Sequence, residues 1–180
     1  VKGNYYGTHS GIGPIGITYD PANGYLYVTN FYSDTVSVIN PVNNLIIAAI
    51  RVECGPHGIA YDPKNGYLYV TDYFSNSVSV IDPANNSVIT TILVGCKPLG
   101  ITYDPANGYL YVADCVPNTV SVIDPVNNSV ISTIEVGRGP QGIAYDPTNG
   151  YLYVTDYFSN SISVINPASN SVIANISVRC

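Results

Sequence analysis

Along this chain apolar and polar residues alternate in short runs, and each run is cut off by turn residues. Ile59-Ala60-Tyr61 predicts a short strand, and Asp62-Pro63-Lys64-Asn65-Gly66 predicts the turn that follows, because Pro presets φ and Gly accepts the left-handed conformation that closes a hairpin. Residues 67–74 predict a second strand. Its faces are Tyr67, Tyr69, Thr71 and Tyr73 against Leu68, Val70, Asp72 and Phe74. Bulk on both faces belongs to a sheet covered on both sides. Ser75-Asn76-Ser77 then turns the chain into Val78-Ser79-Val80-Ile81, and Asp82-Pro83-Ala84-Asn85-Asn86 turns it into a fourth strand over residues 87–94. Gly95-Cys96-Lys97-Pro98-Leu99-Gly100 reads as a connector to the next unit. No stretch sustains a helical period, so the chain is expected to be all-β.

The same unit begins at Ile17, Ile59, Ile101 and Ile143, 42 residues apart. Residues 1–12 stand outside the pattern as an irregular lead-in, and residues 13–180 form one repeat domain without a linker. A lone four-stranded sheet cannot cover two apolar faces, so the units must stack on one another; radial stacking gives a β-propeller of four 42-residue, four-stranded antiparallel blades. The second strands are expected at 25–32, 67–74, 109–116 and 151–158. Repeats one and three share Thr18 and Thr102, Ala22 and Ala106, and Val42 and Val126, whereas repeats two and four share Ala60 and Ala144 and the Tyr-Phe-Ser-Asn run that starts at Tyr73 and Tyr157. A duplicated two-blade unit makes an even blade number natural: a four-bladed ring, or two chains in an eight-bladed one.

Composition narrows the setting. The net charge of −6 comes from few charges of either sign, with 17 tyrosines and many small polar residues instead, which argues against nucleic acid. No apolar run is long enough for a membrane-spanning helix. The chain holds no methionine, which suggests a processed form or an excised fragment. Four cysteines without a C-x-x-C pair, in a lysine-poor chain, suggest disulfides and an extracellular or cell-surface location.

Tyr-Leu-Tyr-Val-Thr-Asn begins at Tyr25, Tyr-Leu-Tyr-Val-Thr-Asp at Tyr67 and Tyr151, and Tyr-Leu-Tyr-Val-Ala-Asp at Tyr109. These motifs resemble the YVTN family of β-propeller repeats over residues 13–180. The resemblance implies a surface-layer or other extracytoplasmic propeller. Its members are seven-bladed, and seven blades at this period need about 294 residues.

Four near-identical repeats differ most where Ile15, His57, Leu99 and Gln141 share one position, next to Gly13, Gly55, Lys97 and Gly139. Connectors and second-to-third strand turns share one rim in a propeller, so Ile15, His57, Lys97, Leu99 and Gln141 are the candidate ligand-binding residues. Asn30, Asp72, Asp114 and Asp156 end the second strands; they could offer one oxygen group per blade to a hard cation, but such ligands lie far apart, and no metal or cofactor is expected. Asp20, Asp62, Asp104 and Asp146 precede proline and are read as Asx caps of their own turns. Cys96 and Cys115 are expected to form an intrachain disulfide on the common rim, which leaves Cys54 and Cys180 for an intermolecular bond or as free thiols. Asn85, Asn127 and Asn175 head N-x-Ser sequons, candidates for glycosylation away from that rim.

No catalytic residues are assigned. His57 is the only histidine in the repeat region, and no nucleophile with a base and an orienting carboxylate is visible. The expected function is therefore a non-enzymatic extracellular or cell-surface structural module, self-associating as a closed ring, dimer or polymer. The alternative is a binding module whose rim takes a glycan, a cell-surface protein or a small ligand.

Overall fold

The computed structural model of the chain describes residues 12–178. It contains sixteen strands and no helix among the described residues. Blade 1 is β1 (Pro14–Asp20), β2 (Tyr25–Asn30), β3 (Thr35–Asn40) and β4 (Leu45–Arg51). Blade 2 is β5 (Pro56–Asp62), β6 (Tyr67–Asp72), β7 (Ser77–Asp82) and β8 (Ser87–Leu93). Blade 3 is β9 (Cys96–Tyr103), β10 (Leu110–Val116), β11 (Thr119–Asp124) and β12 (Ser129–Glu135). Blade 4 is β13 (Pro140–Asp146), β14 (Tyr151–Asp156), β15 (Ser161–Asn166) and β16 (Ser171–Ser177). Each blade is a four-stranded antiparallel meander in chain order, as the repeat predicts.

Two boundaries differ from the sequence reading. The second strands of blades 1, 2 and 4 stop at Asn30, Asp72 and Asp156, because the aromatic pairs that follow sit in the turn. The supposed connectors are strand: β9 starts at Cys96, and Pro56 pairs with Asp72 before a bulge that resumes pairing at Ile59 and Val70. The bulge lets Gly58 pass close to the next blade, where a Cβ would collide with the Leu99 carbonyl oxygen.

The Asp-Pro turns form as read. Asp62 Oδ1 accepts the Lys64 backbone N–H at 2.8 Å, Gly66 N–H donates to the Asp62 carbonyl at 2.8 Å, and Gly66 stands at φ +77°. In the other blades Asp20, Asp104 and Asp146 make the same Asx bond at 2.8 Å.

The core lies between blades, not within them. Tyr27, Val36, Val38 and Ile50 of blade 1 meet Leu68, Val70 and Ile81 of blade 2. Corresponding clusters join blades 2 and 3, and blades 3 and 4. The innermost strands adjoin in succession, β1 to β5 to β9 to β13, and among the described residues no comparable packing joins β13 to β1. The four blades make an open arc.

Candidate functional site

At the inner edge of the arc the bulged starts of β1, β5, β9 and β13 converge on a cleft of about 510 Å³. Its wall is Ile15, His57, Leu99 and Gln141, each followed by a Gly-Ile pair. The bulge turns those residues toward the axis, and the glycines let successive strands approach. The volume is in the range of small-molecule sites. Four of the five ligand-binding candidates are thus brought together. Lys97 is not among them: it stands exposed on the rim at φ +55°, its Nζ 5.7 Å from the centre of the Tyr73 ring.

Among the described residues His57 is the one titratable side chain on the cleft wall. Burial lowers its pKa below the usual 6.5, with a backbone hydrogen bond to Leu99 pulling the other way, so the imidazole is neutral at pH 7 and can accept a proton. Phe31 meets its ring edge-on at 6.2 Å and also contacts Tyr73 and Phe74, at 5.9 and 5.4 Å. Phe31, itself packed on the turn aromatics of blade 2, therefore covers one side of the histidine. Threonines fix the wall from behind: Thr29 Oγ1 donates to the His57 carbonyl and Thr71 Oγ1 to the Leu99 carbonyl, each at 2.7 Å. These links escaped the sequence reading, although a threonine recurring in phase at the fifth position of the YLYVT motif was the available signal.

The second-strand acids belong to the blades. Ser79 and Ser77 donate to Asp72 Oδ2 at 2.8 and 3.3 Å, Ser121 donates to Asp114 at 2.7 Å, and Ser163 to Asp156 at 2.7 Å. Burial raises the Asp72 pKa to about 7, with the Glu53 carboxylate adding to the rise, and that of Asp114 to about 6. Among the described residues no three His, Cys, Asp or Glu side chains gather as metal ligands.

Cys96 and Cys115 are free thiols, so the expected Cys96–Cys115 bridge is not made. The register explains it: Cys96 lies opposite Val116, which sends the Cys115 side chain to the other face of the sheet. Cys180 lies outside the described residues, as does most of the lead-in. Asn85 and Asn127 are exposed in their turns, holding Asp82 and Asp124 at 3.0 and 2.7 Å, and Asn175 is exposed on β16.

By sequence, residues 51–138, just under half of the chain, match the arylesterase family. No curated protein sequence matches the chain. Among solved structures, hydrazine synthase of Kuenenia stuttgartiensis superposes with a TM-score of 0.89 at 27% identity, over 99% of this chain and 53% of that one. Virginiamycin B lyase from Staphylococcus aureus superposes with a TM-score of 0.80 at 19% identity, over 94% and 57%. A catalytically inactive histidine-to-alanine variant of that lyase, with quinupristin, gives 0.79 at 20%, over 93% and 56%. The chain spans little more than half the length of these structures. The fold is a β-propeller fold. The arylesterase match overturns the expectation of a non-enzymatic structural module and of no catalytic role.

Proposed function

We propose that this chain is the wall of an axial active site in a β-propeller enzyme that cleaves ester bonds, with His57 as general base. The observation that carries the reading is His57 itself, the one titratable group on the cleft wall among the described residues, held neutral by burial. In ester hydrolysis its free nitrogen takes a proton from water as the water oxygen adds to the ester carbonyl. The imidazolium then returns that proton to the departing alkoxide or phenoxide. Ile15, Leu99 and the Gly-Ile pairs would hold an apolar or aromatic alcohol portion, and the Gln141 amide offers a hydrogen bond to a carbonyl. The arylesterase match includes His57, which supports the same assignment. The blades that carry the site are proposed to be of the YVTN type, on the strength of the motifs at Tyr25, Tyr67, Tyr109 and Tyr151.

The test is turnover of phenyl acetate and of aryl lactones by the purified chain. The proposal expects His57→Ala to lose at least about 100-fold in kcat/KM with an unchanged circular dichroism spectrum. Lys97→Ala, outside the cleft, should keep its rate. Equal rates for His57→Ala and the parent chain, or no turnover by the parent, would overturn it.

A further inference from the structure

Beyond the His57 cleft, further along β1, β5 and β9, the inner edge of the arc holds a second cleft of about 620 Å³. Thr18-Tyr19, Ala60-Tyr61 and Thr102-Tyr103 line it. Pro21, Pro63 and Pro105, from the Asp-Pro turns, border it. Its wall and that of the His57 cleft share Ile59 and Ile101, so the two meet at an isoleucine pair on β5 and β9. Tyr61 faces Asp20 and Tyr103 faces Asp62, each a carboxylate of the preceding blade. The hydroxyls are thus engaged between blades, and the ring carbons are left to the wall.

The chemistry of this path selects its occupant. Among the described residues neither wall carries an Asp, Glu, Lys or Arg side chain, so a charged group placed there would lose water without gaining a partner. A sugar or a peptide would bring a hydroxyl or an amide against Ile59 and Ile101, at a similar cost. A hydrocarbon chain has no polar group to desolvate, and each methylene it buries adds affinity. Strand geometry puts at most about 13 Å between the levels of His57 and Tyr61 on β5. An extended alkyl chain of about ten carbons spans that distance.

We infer that the ester cleaved at His57 carries a long linear alkyl group on its alcohol side, which passes Ile59 and Ile101 and ends against the tyrosine and proline rings of the second cleft. The inference rests on the ester-cleaving reading of the His57 cleft and adds the substrate class: neutral alkyl esters of about eight to twelve carbons, in preference to short or charged ones. Small side chains at Thr18, Ala60 and Thr102 keep the second cleft open to the end of the chain. Water adds to the ester carbonyl, the bond from that carbon to the alkoxide oxygen breaks, and the alkoxide leaves with the proton that His57 took from water. The products are a carboxylic acid and a fatty alcohol.

The test is a series of ethyl, butyl, hexyl, octyl and decyl acetates below their solubility limits, with acid release followed by pH-stat titration. Decyl acetate should exceed butyl acetate at least about tenfold in kcat/KM. Thr102→Trp and Thr18→Trp, which fill the second cleft from half-buried positions, should each bring decyl acetate down to the butyl level, with the phenyl acetate rate and the circular dichroism spectrum unchanged. Val42→Trp, 92% exposed on the turn between β3 and β4, should leave the whole series as in the parent. Binding is read apart from catalysis. The chain has no tryptophan, so Pro105→Trp places a sole reporter at the second cleft. N-decylacetamide, the uncleaved amide analogue of decyl acetate, should shift its emission to the blue and saturate, whereas N-butylacetamide should not. That shift in a chain that hydrolyses no ester would keep the extended cleft and remove only the reaction. A flat alkyl series in a chain that hydrolyses phenyl acetate, a decyl preference that both cleft-filling variants keep, equal shifts with the two amides, or no shift with either would each overturn the inference.

Discussion

At the scale of single residues, environment sets the chemistry more than identity does. His57 is an ordinary histidine until burial lowers its pKa below 6.5. If its neutral form is the base, kcat/KM should rise with pH through an inflection below 6.5 and level off near neutrality. A pH–rate profile with its acid limb above pH 7 would remove His57 from that role. Asp72 shows the same principle in stability. Its folded pKa is raised from 3.8 to about 7, so the folded chain holds a proton that the unfolded chain has lost between those values. Unfolding free energy therefore falls as pH rises through that window, by up to about 1.4 kcal/mol per pH unit from this group. Blade 1 already carries the remedy: Asn30 stands at the same position and donates to Ser37 at 2.9 Å and Thr35 at 3.1 Å. Asp72→Asn should flatten the pH dependence between pH 4 and pH 7 and raise the melting temperature at pH 8; calorimetry across that range decides it. The sequence displayed these acids in phase but not their buried serine partners, nor the neighbouring Glu53 where blades 3 and 4 carry Gly95 and Gly137.

At the scale of strands and turns, most of the architecture was legible. Period-two alternation with fixed turn residues can only be satisfied by short antiparallel strands, and the Asp-Pro-x-Asn-Gly turns came out with the expected caps and positive φ. Gly66 allows a clean measurement, because a Cβ there would meet nothing within 4 Å and only the backbone conformation resists it. Gly66→Val should destabilise the chain by more than about 1 kcal/mol in urea unfolding. An unchanged midpoint would mean that the turn relaxes to another form. The inner strands were harder to read. Residues 97–100 resemble a connector because Lys-Pro-Leu-Gly lacks alternation, but a bulge lets such a segment pair with β10 while it lines the axis. The failed disulfide has the same origin: rim proximity was inferred correctly in kind, yet face assignment depends on a register that the bulge resets.

At the scale of the molecule, packing passes from blade to blade, so stability should depend on how many neighbours a blade has. Blades 2 and 3 are covered on both faces, and Tyr69, Tyr111, Leu68 and Leu110 have no exposure. Blades 1 and 4 each leave one face open among the described residues; Ile17 is 62% exposed and Ile176 46%. The sequence could not show this asymmetry, because near-identical repeats carry near-identical patterns and only position along the arc separates them. Hydrogen exchange should make it visible. Amides of β6, β7, β10 and β11 should exchange slowest, near the global limit, with those of β1, β2, β14 and β15 at least about tenfold faster, since local opening costs less where one face lacks a partner. Uniform protection would mean that the end blades need no neighbour.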